Sequence, residues 1–262
     1  MTTDHRFDGI NRLYGSHALD VLKTLHVCVI GLGGVGSWAV EALARSGVGH
    51  MTLIDYDEIA EGNINRQVHA LGSTIGAKKH QILAERVRDI NPDCQCETID
   101  DFLTDKNIWE YLSVHRQHDY VIDAIDSIKY KAELIYYCKR NKIPIITTGG
   151  AGGVTQVDSI VVKDLSRTYN DALAARVRSQ LRNEYNFTKN TKRYFGVECV
   201  FSTQKKVYPT EDGSVSQNKP GIHGVHLDCR FGYGSISFIT ATFGFMAASR
   251  VINKTLMKRL DT

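Results

Sequence analysis

Val27-Cys28-Val29-Ile30-Gly31-Leu32-Gly33-Gly34-Val35-Gly36-Ser37 is the stretch that decides the fold of this chain. The first four residues are apolar and mostly β-branched, which reads as a short buried strand, and they stop abruptly at glycine. Gly31, Gly33 and Gly36 then fit G-x-G-x-x-G, with Gly34 inside it, and Ser37 opens a helix to Arg45 that Gly47 stops. Glycine permits the tight turn and lets backbone approach a phosphate closely. The unpaired N–H groups at the helix start attract the negative charge. A strand, a glycine turn and a helix in that order predict a nucleotide site.

Outward from this unit, strand and helix alternate. Met51–Ile54 reads as a second strand ending at Asp55, Lys78–Ile90 as a helix stopped before Pro92, and Tyr120–Ile122 as a third strand ending at Asp123. Ala132–Asn141 follows as a helix and Ile143–Thr148 as a fourth strand. Beyond it come strands at Thr155–Val162 and Val197–Pro209, with helices at Asp171–Tyr185 and Ile236–Lys258. The pattern predicts an α/β, Rossmann-like, mostly parallel sheet with helices on both faces. Gly31, Asp55, Asp123 and Asp126 then share the carboxyl edge of the strands, where open α/β sheets bind ligands.

Composition agrees with a globular chain: 262 residues, 42% hydrophobic and 23% charged, with 22 Gly and 4 Pro. That excludes disordered, collagen-like and disulfide-scaffold classes. The polar start and the lack of an apolar run of about 18 residues predict neither an export signal nor a transmembrane segment. Six cysteines in such a chain are expected to be reduced thiols in a cytoplasmic protein. No C-x-x-C pair is present to signal a structural zinc. The net charge of +3 is uneven: Lys163 to Lys206 holds ten Lys/Arg against four Asp/Glu, an excess of six that leaves the rest at −3. A local basic excess predicts contact with a polyanion, the alternative being a solvated helix face.

Asp55 stands where an acidic residue meets ribose hydroxyls in dinucleotide folds. A hydride-transfer enzyme, an NAD-dependent dehydrogenase, needs little more. This chain adds Asp55-Tyr56-Asp57 and Asn63-Ile64-Asn65-Arg66-Gln67. Such a block suits a triphosphate, whose reacting α-phosphate needs donors and cations as charge develops. Lys79 can supply a point charge there, and Asp126 a hard oxygen ligand for Mg²⁺. Asp57 and Asp123 have a plain alternative as surface residues or helix caps.

Taken in order, G-x-G-G-x-G-S, D-x-D, N-x-N-R-Q, a downstream Lys and D-x-x-D resemble the adenylating half of the E1-like superfamily of ThiF, MoeB and the ubiquitin-activating enzymes. The motifs run from about Arg12 to Gly153. The resemblance implies that Asp55 holds the ribose of ATP, that Asn65, Arg66 and Lys79 hold its phosphates, and that Asp126 binds Mg²⁺. It also implies that Arg12 reaches a partner subunit's ATP, hence a homodimer. The chain then reads as one E1-like domain over 1–262, with a nucleotide core at about 25–153 and a substrate-binding and dimerisation part at about 154–262. Arg12, Arg66, Lys79 and Asp126 are the expected catalytic group. Gly31, Gly33, Gly34, Gly36, Ser37, Asp55, Asp57, Asn65, Arg66 and Lys79 are expected around the nucleotide.

ThiF- and MoeB-type members carry zinc cysteine pairs that this chain lacks. Thr147–Gly153, Gly196–Ser202 and Thr240–Phe245, with Arg12-Leu13-Tyr14-Gly15, resemble instead the tRNA-modifying dehydratases of the superfamily. These cyclise the threonylcarbamoyl group of an adenosine beside the anticodon. The alternative is adenylation of the C-terminus of a sulfur-carrier or ubiquitin-like protein. The tRNA reading gives the basic tract a task, with Lys189, Lys192 and Arg193 flanking Tyr194 and Phe195 as expected tRNA contacts. Cys229, in a Gly221–Gly234 loop able to act as a lid, and Cys199 are the candidate nucleophiles. A monovalent cation (K⁺ or Na⁺), and a cysteine desulfurase with its sulfur acceptor, are further expectations from the resemblance.

Overall fold

Both faces of the central strands are apolar, and both are covered. The computed structural model describes residues 5–210, 212–218 and 234–260. The chain runs through helices α1 (Asp8–Tyr14) and α2 (Ala18–Thr24), strand β1 (His26–Ile30), α3 (Gly36–Arg45), β2 (His50–Ile54), α4 (Lys79–Ile90) and β3 (Gln95–Ile99). Next come α5 (Ile108–Tyr111), β4 (Tyr120–Asp123), α6 (Ile128–Arg140), β5 (Ile145–Thr148), β6 (Ile160–Asp164) and α7 (Ala172–Glu184). Strand β7 (Glu198–Ser202), the short strands β8 (Tyr208–Pro209) and β9 (Val215–Ser216), and α8 (Ser237–Leu260) complete it.

Seven strands form one sheet in the order β3-β2-β1-β4-β5-β7-β6. Every neighbouring pair is parallel except β6 with β7. Val27, Val29, Met51 and Leu53 pack on one face with Leu43 of α3, Val87 of α4, and Phe243 and Val251 of α8. Cys28, Ile30 and Val121 pack on the other with Ile135 of α6 and Val177 of α7. Burying each such side chain fully is worth about 1.5–3 kcal/mol against the entropy of ordering the chain. Strands covered on both sides are why the runs are apolar rather than alternating.

The strand order changes sense between β1 and β4, so the binding crevice opens at their carboxyl ends. Helix α3 is clamped there from two sides. Glu41 accepts from Arg86 of α4 at 2.6 Å and from Arg45 at 2.7 Å. Although its burial opposes it, those guanidinium bonds hold the carboxyl below its ordinary range. Helix α8 crosses α3 at Gly244, where a Cβ would stand 2.5 Å from the Val35 carbonyl oxygen. Only glycine lets the two backbones approach so closely.

The expected α/β architecture is present, with differences in detail. The expected strand Val197–Pro209 is two elements, β7 and β8. After Ser202 the chain turns: the Thr203 N–H donates to the Ser159 carbonyl at 2.9 Å, and Lys206 folds inward. The expected strand Thr155–Val162 starts later, at Ile160, because a 3-10 turn occupies Val157–Ser159. Helices α1, α2 and α5 and edge strand β3 were not anticipated. Strand β3, Gln-Cys-Glu-Thr-Ile, is only partly covered and shows no apolar run.

Candidate active site

In the glycine loop Gly31 and Gly36 are structural, Gly34 is tightly packed and Gly33 is open. Gly31 has φ +84°, and a Cβ on it would lie 2.9 Å from the Ala124 carbonyl carbon. On Gly36 a Cβ would fall 1.8 Å from the Gly31 carbonyl oxygen. These two hold β1, the loop after β4 and the start of α3 in contact. At Gly33 the nearest atom to a Cβ would be Gln67 Nε2 at 3.8 Å, and at Gly34 it would be Thr240 Cγ2 at 3.2 Å. At Gly33 the loop has room, a cradle that fits a phosphate chain, while at Gly34 it lies tight against Thr240 and against Arg66 of the N-x-N-R-Q segment. Ser37 is fully buried, and its hydroxyl has no hydrogen-bond partner among the described residues.

Around the loop, donors and charges converge from consecutive strand ends. Asp55 is buried and accepts N–H bonds from Leu32 at 2.6 Å and Asp57 at 2.8 Å. A carboxylate has about four acceptor sites, so capacity for sugar hydroxyls remains. Burial pushes the Asp55 carboxyl above its ordinary value despite those bonds and the Lys79 charge. Lys79, at the start of α4, is 5% exposed and donates to Asp57 at 2.6 Å. Asp57, which sequence left open as a surface residue, is thus the counter-ion of Lys79.

Asn65 donates to the Ser235 carbonyl at 2.8 Å, and Arg66 donates to the Gly62 carbonyl at 2.6 Å. The Arg66 carbonyl accepts from Trp38 of α3 at 3.0 Å and from Thr240 of α8 at 3.1 Å. The polar turn is therefore bolted to the helix that follows the glycine loop. Asp126 is exposed in the β4–α6 loop, close enough to add its charge to those that raise the Tyr56 phenol, chiefly Asp57. An exposed carboxylate at that edge suits a hard divalent cation. Tyr56 also begins an aromatic wall, edge-on to Phe102 at 5.1 Å, which meets Tyr130 at 5.0 Å.

One constellation escaped sequence reading. Asp123, the other residue left open as a surface group, is fully buried. It accepts from Lys131 at 3.0 Å and from Thr147 at 2.6 Å, and the buried Lys131 also donates to the Ile125 carbonyl at 2.9 Å. Burial pushes the Asp123 carboxyl up and the Lys131 charge opposes it. The pair fixes the loop against which Gly31 packs. Gln67, the last residue of the N-x-N-R-Q block, is buried, as is His69, which has no signal in the sequence; burial holds the His69 ring down to about 4.

Other expected residues lie elsewhere. Arg12 is exposed on α1. Asn11 there accepts from the Leu19 N–H at 2.9 Å, and α2 leads into the start of β1 at the amino edge, opposite the crevice. Lys189, Lys192 and Arg193 are exposed and precede the start of β7, on that same amino edge. Tyr194 is exposed beneath the Arg167 guanidinium at 4.7 Å, whereas Phe195 is buried and packs on Phe187 at 5.0 Å, so it offers no free face to a base. Cys199 is corrected from candidate nucleophile to core residue: it is fully buried in β7, and desolvation pushes its thiol up, leaving it as the unreactive thiol. Cys229 and nearly all of the Gly221–Gly234 loop lie outside the described residues.

The model of the ThiF family matches residues 9–261. The chain is 50% identical over 254 residues to a tRNA threonylcarbamoyladenosine dehydratase of Escherichia coli, covering 97% of this chain and 94% of that protein. It is 53% identical over 258 residues to one of Haemophilus influenzae, covering 98% and 95%. A solved structure of the Escherichia coli enzyme in complex with ATP superposes with a TM-score of 0.87 at 46% identity, covering 98% of this chain and 96% of that one.

Proposed function

Because the chain belongs to the ThiF family, we propose that it is an ATP-dependent tRNA threonylcarbamoyladenosine dehydratase. The observation that carries this is the end-to-end similarity, at about half identity, to enzymes of that name. A free carboxylate is a poor electrophile. An oxygen of the threonyl carboxylate attacks the α-phosphorus of ATP, pyrophosphate leaves, and an acyl-adenylate forms. A heteroatom of the neighbouring urea attacks the activated carbonyl and loses its proton, and AMP departs carrying the former carboxylate oxygen. The ring closes with net loss of one water. The nucleophile belongs to the substrate, so proximity is already supplied and no cysteine is needed.

In this reading Asp55 takes the ribose, and the N–H groups around Gly33 and Gly34 take phosphate oxygens. Asn65, Arg66 and Lys79 stabilise charge on the reacting α-phosphate and the departing pyrophosphate, Lys79 exchanging Asp57 for phosphate. Asp126 would hold Mg²⁺, which neutralises phosphate charge when bound. Arg12 is exposed on a helix at the amino edge, opposite its own crevice, which supports a homodimer in which each Arg12 serves the partner's nucleotide. We assign about 25–153 to the nucleotide core, about 154–262 to substrate binding and dimerisation, and the enzyme to the cytoplasm with its tRNA. Among the described residues no helix is long and apolar enough to cross a membrane.

The test is to incubate the protein with ATP, Mg²⁺ and tRNA carrying threonylcarbamoyladenosine, digest the tRNA and weigh its nucleosides. That nucleoside becomes lighter by one water, only with ATP. An unchanged nucleoside, with pyrophosphate exchange driven by a small carrier protein, would move the assignment to protein activation.

A further inference from the structure

The basic excess between Lys163 and Lys206 does not form one surface. The sheet divides it. Lys189, Lys192 and Arg193 stand at the amino edge, before β7, while Lys205 and Lys206 follow β7 at the carboxyl edge. The carboxyl-edge group lines a pocket of about 420 Å³ with Tyr169, Asp171, Arg178 and Tyr208. In the sheet, β5 lies beside β4, and β7 beside β5. At about 4.8 Å per strand, this pocket begins roughly 10 Å from the β1–β4 crevice, on the same edge.

The pocket is built rather than incidental. Two of its lining residues, Asp171 and Lys206, are tied to the glycine turn directly after β5. The Gly150 N–H donates to Asp171 at 2.9 Å, and buried Lys206 donates to the Gly150 carbonyl at 2.6 Å and the Gly152 carbonyl at 3.1 Å. A Cβ on Gly149 would lie 2.2 Å from the Asp171 carboxylate. Asp171 is thereby spent on the frame: its other oxygen caps α7 through the Ala174 N–H at 2.8 Å. The lining keeps three cations against that one committed carboxylate. Arg178 spends one donor on the Thr168 hydroxyl, and a guanidinium has five. Tyr169 is 45% exposed, braced edge-on by Phe201 at 5.6 Å with the Lys163 ammonium 5.2 Å from its centroid.

We propose that this pocket takes a nucleotide of the tRNA neighbouring the reacting adenosine, its base against the Tyr169 ring and its phosphate between Lys205 and Arg178. The inference rests on the reading that the chain acts on tRNA. A braced, exposed aromatic ring beside paired cations suits an unstacked base and its phosphate. An acidic peptide would use the cations and leave the ring idle. The position fits as well: an anticodon loop presenting one base to the crevice extends its next nucleotide along the same edge.

The test compares Lys205→Glu and Tyr169→Leu with Tyr169→Phe and with Lys192→Glu/Arg193→Glu. Affinity for tRNA carrying threonylcarbamoyladenosine is measured against salt, with ATP affinity measured separately. Losing a stacked base weakens tRNA binding about tenfold in Tyr169→Leu, while Tyr169→Phe keeps it. Lys205→Glu weakens binding similarly and lowers the salt slope by about one. ATP affinity holds in both, and the amino-edge double variant loses less. Wild-type tRNA affinity in both pocket variants overturns the proposal. So does a Lys205→Glu protein that loses only polyglutamate binding, or pocket variants that lose ATP and tRNA together. If the unaltered protein binds ATP but neither binds nor dehydrates the tRNA, the reading beneath the proposal fails and takes the pocket with it.

Discussion

Lys131 and Asp123 form the buried ion pair that holds the site's scaffold, with side chains 2% and 0% exposed. Removing one partner of such a pair leaves an uncompensated buried charge, at a cost of about 3–5 kcal/mol. Lys131→Met is expected to lose that much in urea unfolding, and adding Asp123→Asn is expected to recover most of it. The same scale carries a pH prediction. Burial depresses the His69 ring to about 4 and the His118 ring to about 3, against an unfolded value near 6.5. The unfolded chain therefore binds protons first. Stability is full above about pH 6.5 and falls as pH drops toward 4. A melting series should show this acid-side slope, shallower in His118→Gln. A slope identical in that variant would contradict the assignment. Neither feature was legible in sequence. Asp123 stood visibly at a strand end, but nothing in the pattern says that Lys131, eight positions on, folds back beneath it. Asp55, Asn65, Arg66 and Lys79 were legible from motif spacing, which puts Asp55 after a strand, Lys79 at a helix start and Asn65 and Arg66 in the polar turn between them.

At the scale of elements, the contact of α3 with α8 matters most. Trp38 and Thr240 grip the Arg66 carbonyl from these two helices, and Gly244 sets how closely they approach. Gly244→Val places methyls where a Cβ already meets the Val35 carbonyl at 2.5 Å. The expected loss is about 1–3 kcal/mol of stability from overpacking, with weaker ATP binding as the polar turn loses its anchor. Calorimetry of folding and of ATP binding checks both; a normal ATP affinity in a destabilised variant would separate the two effects. Strands β1, β2, β4 and β5 could be read because both their faces are buried and their runs are apolar. Strand β3 could not, since an edge strand needs no such run. The break after β7 was hidden because Lys206 turns inward for backbone carbonyls, a tertiary contact without a local signal.

For the whole molecule, the proposed homodimer assigns Arg12, at the amino edge, to the partner's nucleotide. Arg12→Ala and Lys79→Ala should each be nearly inactive alone. Mixed and allowed to exchange subunits, they should regain about a quarter of wild-type activity, because half of the dimers carry one intact site. No recovery, with exchange verified, would place Arg12 outside the partner's site. The central claim is that the substrate carboxylate is adenylated. The measurement that meets it most directly uses tRNA whose threonylcarbamoyl carboxylate carries heavy oxygen, followed by mass analysis of the released nucleotide. The account predicts one heavy oxygen in AMP and none in pyrophosphate. Heavy oxygen in inorganic phosphate, with ADP as the nucleotide product, would show attack at the γ-phosphate and contradict it.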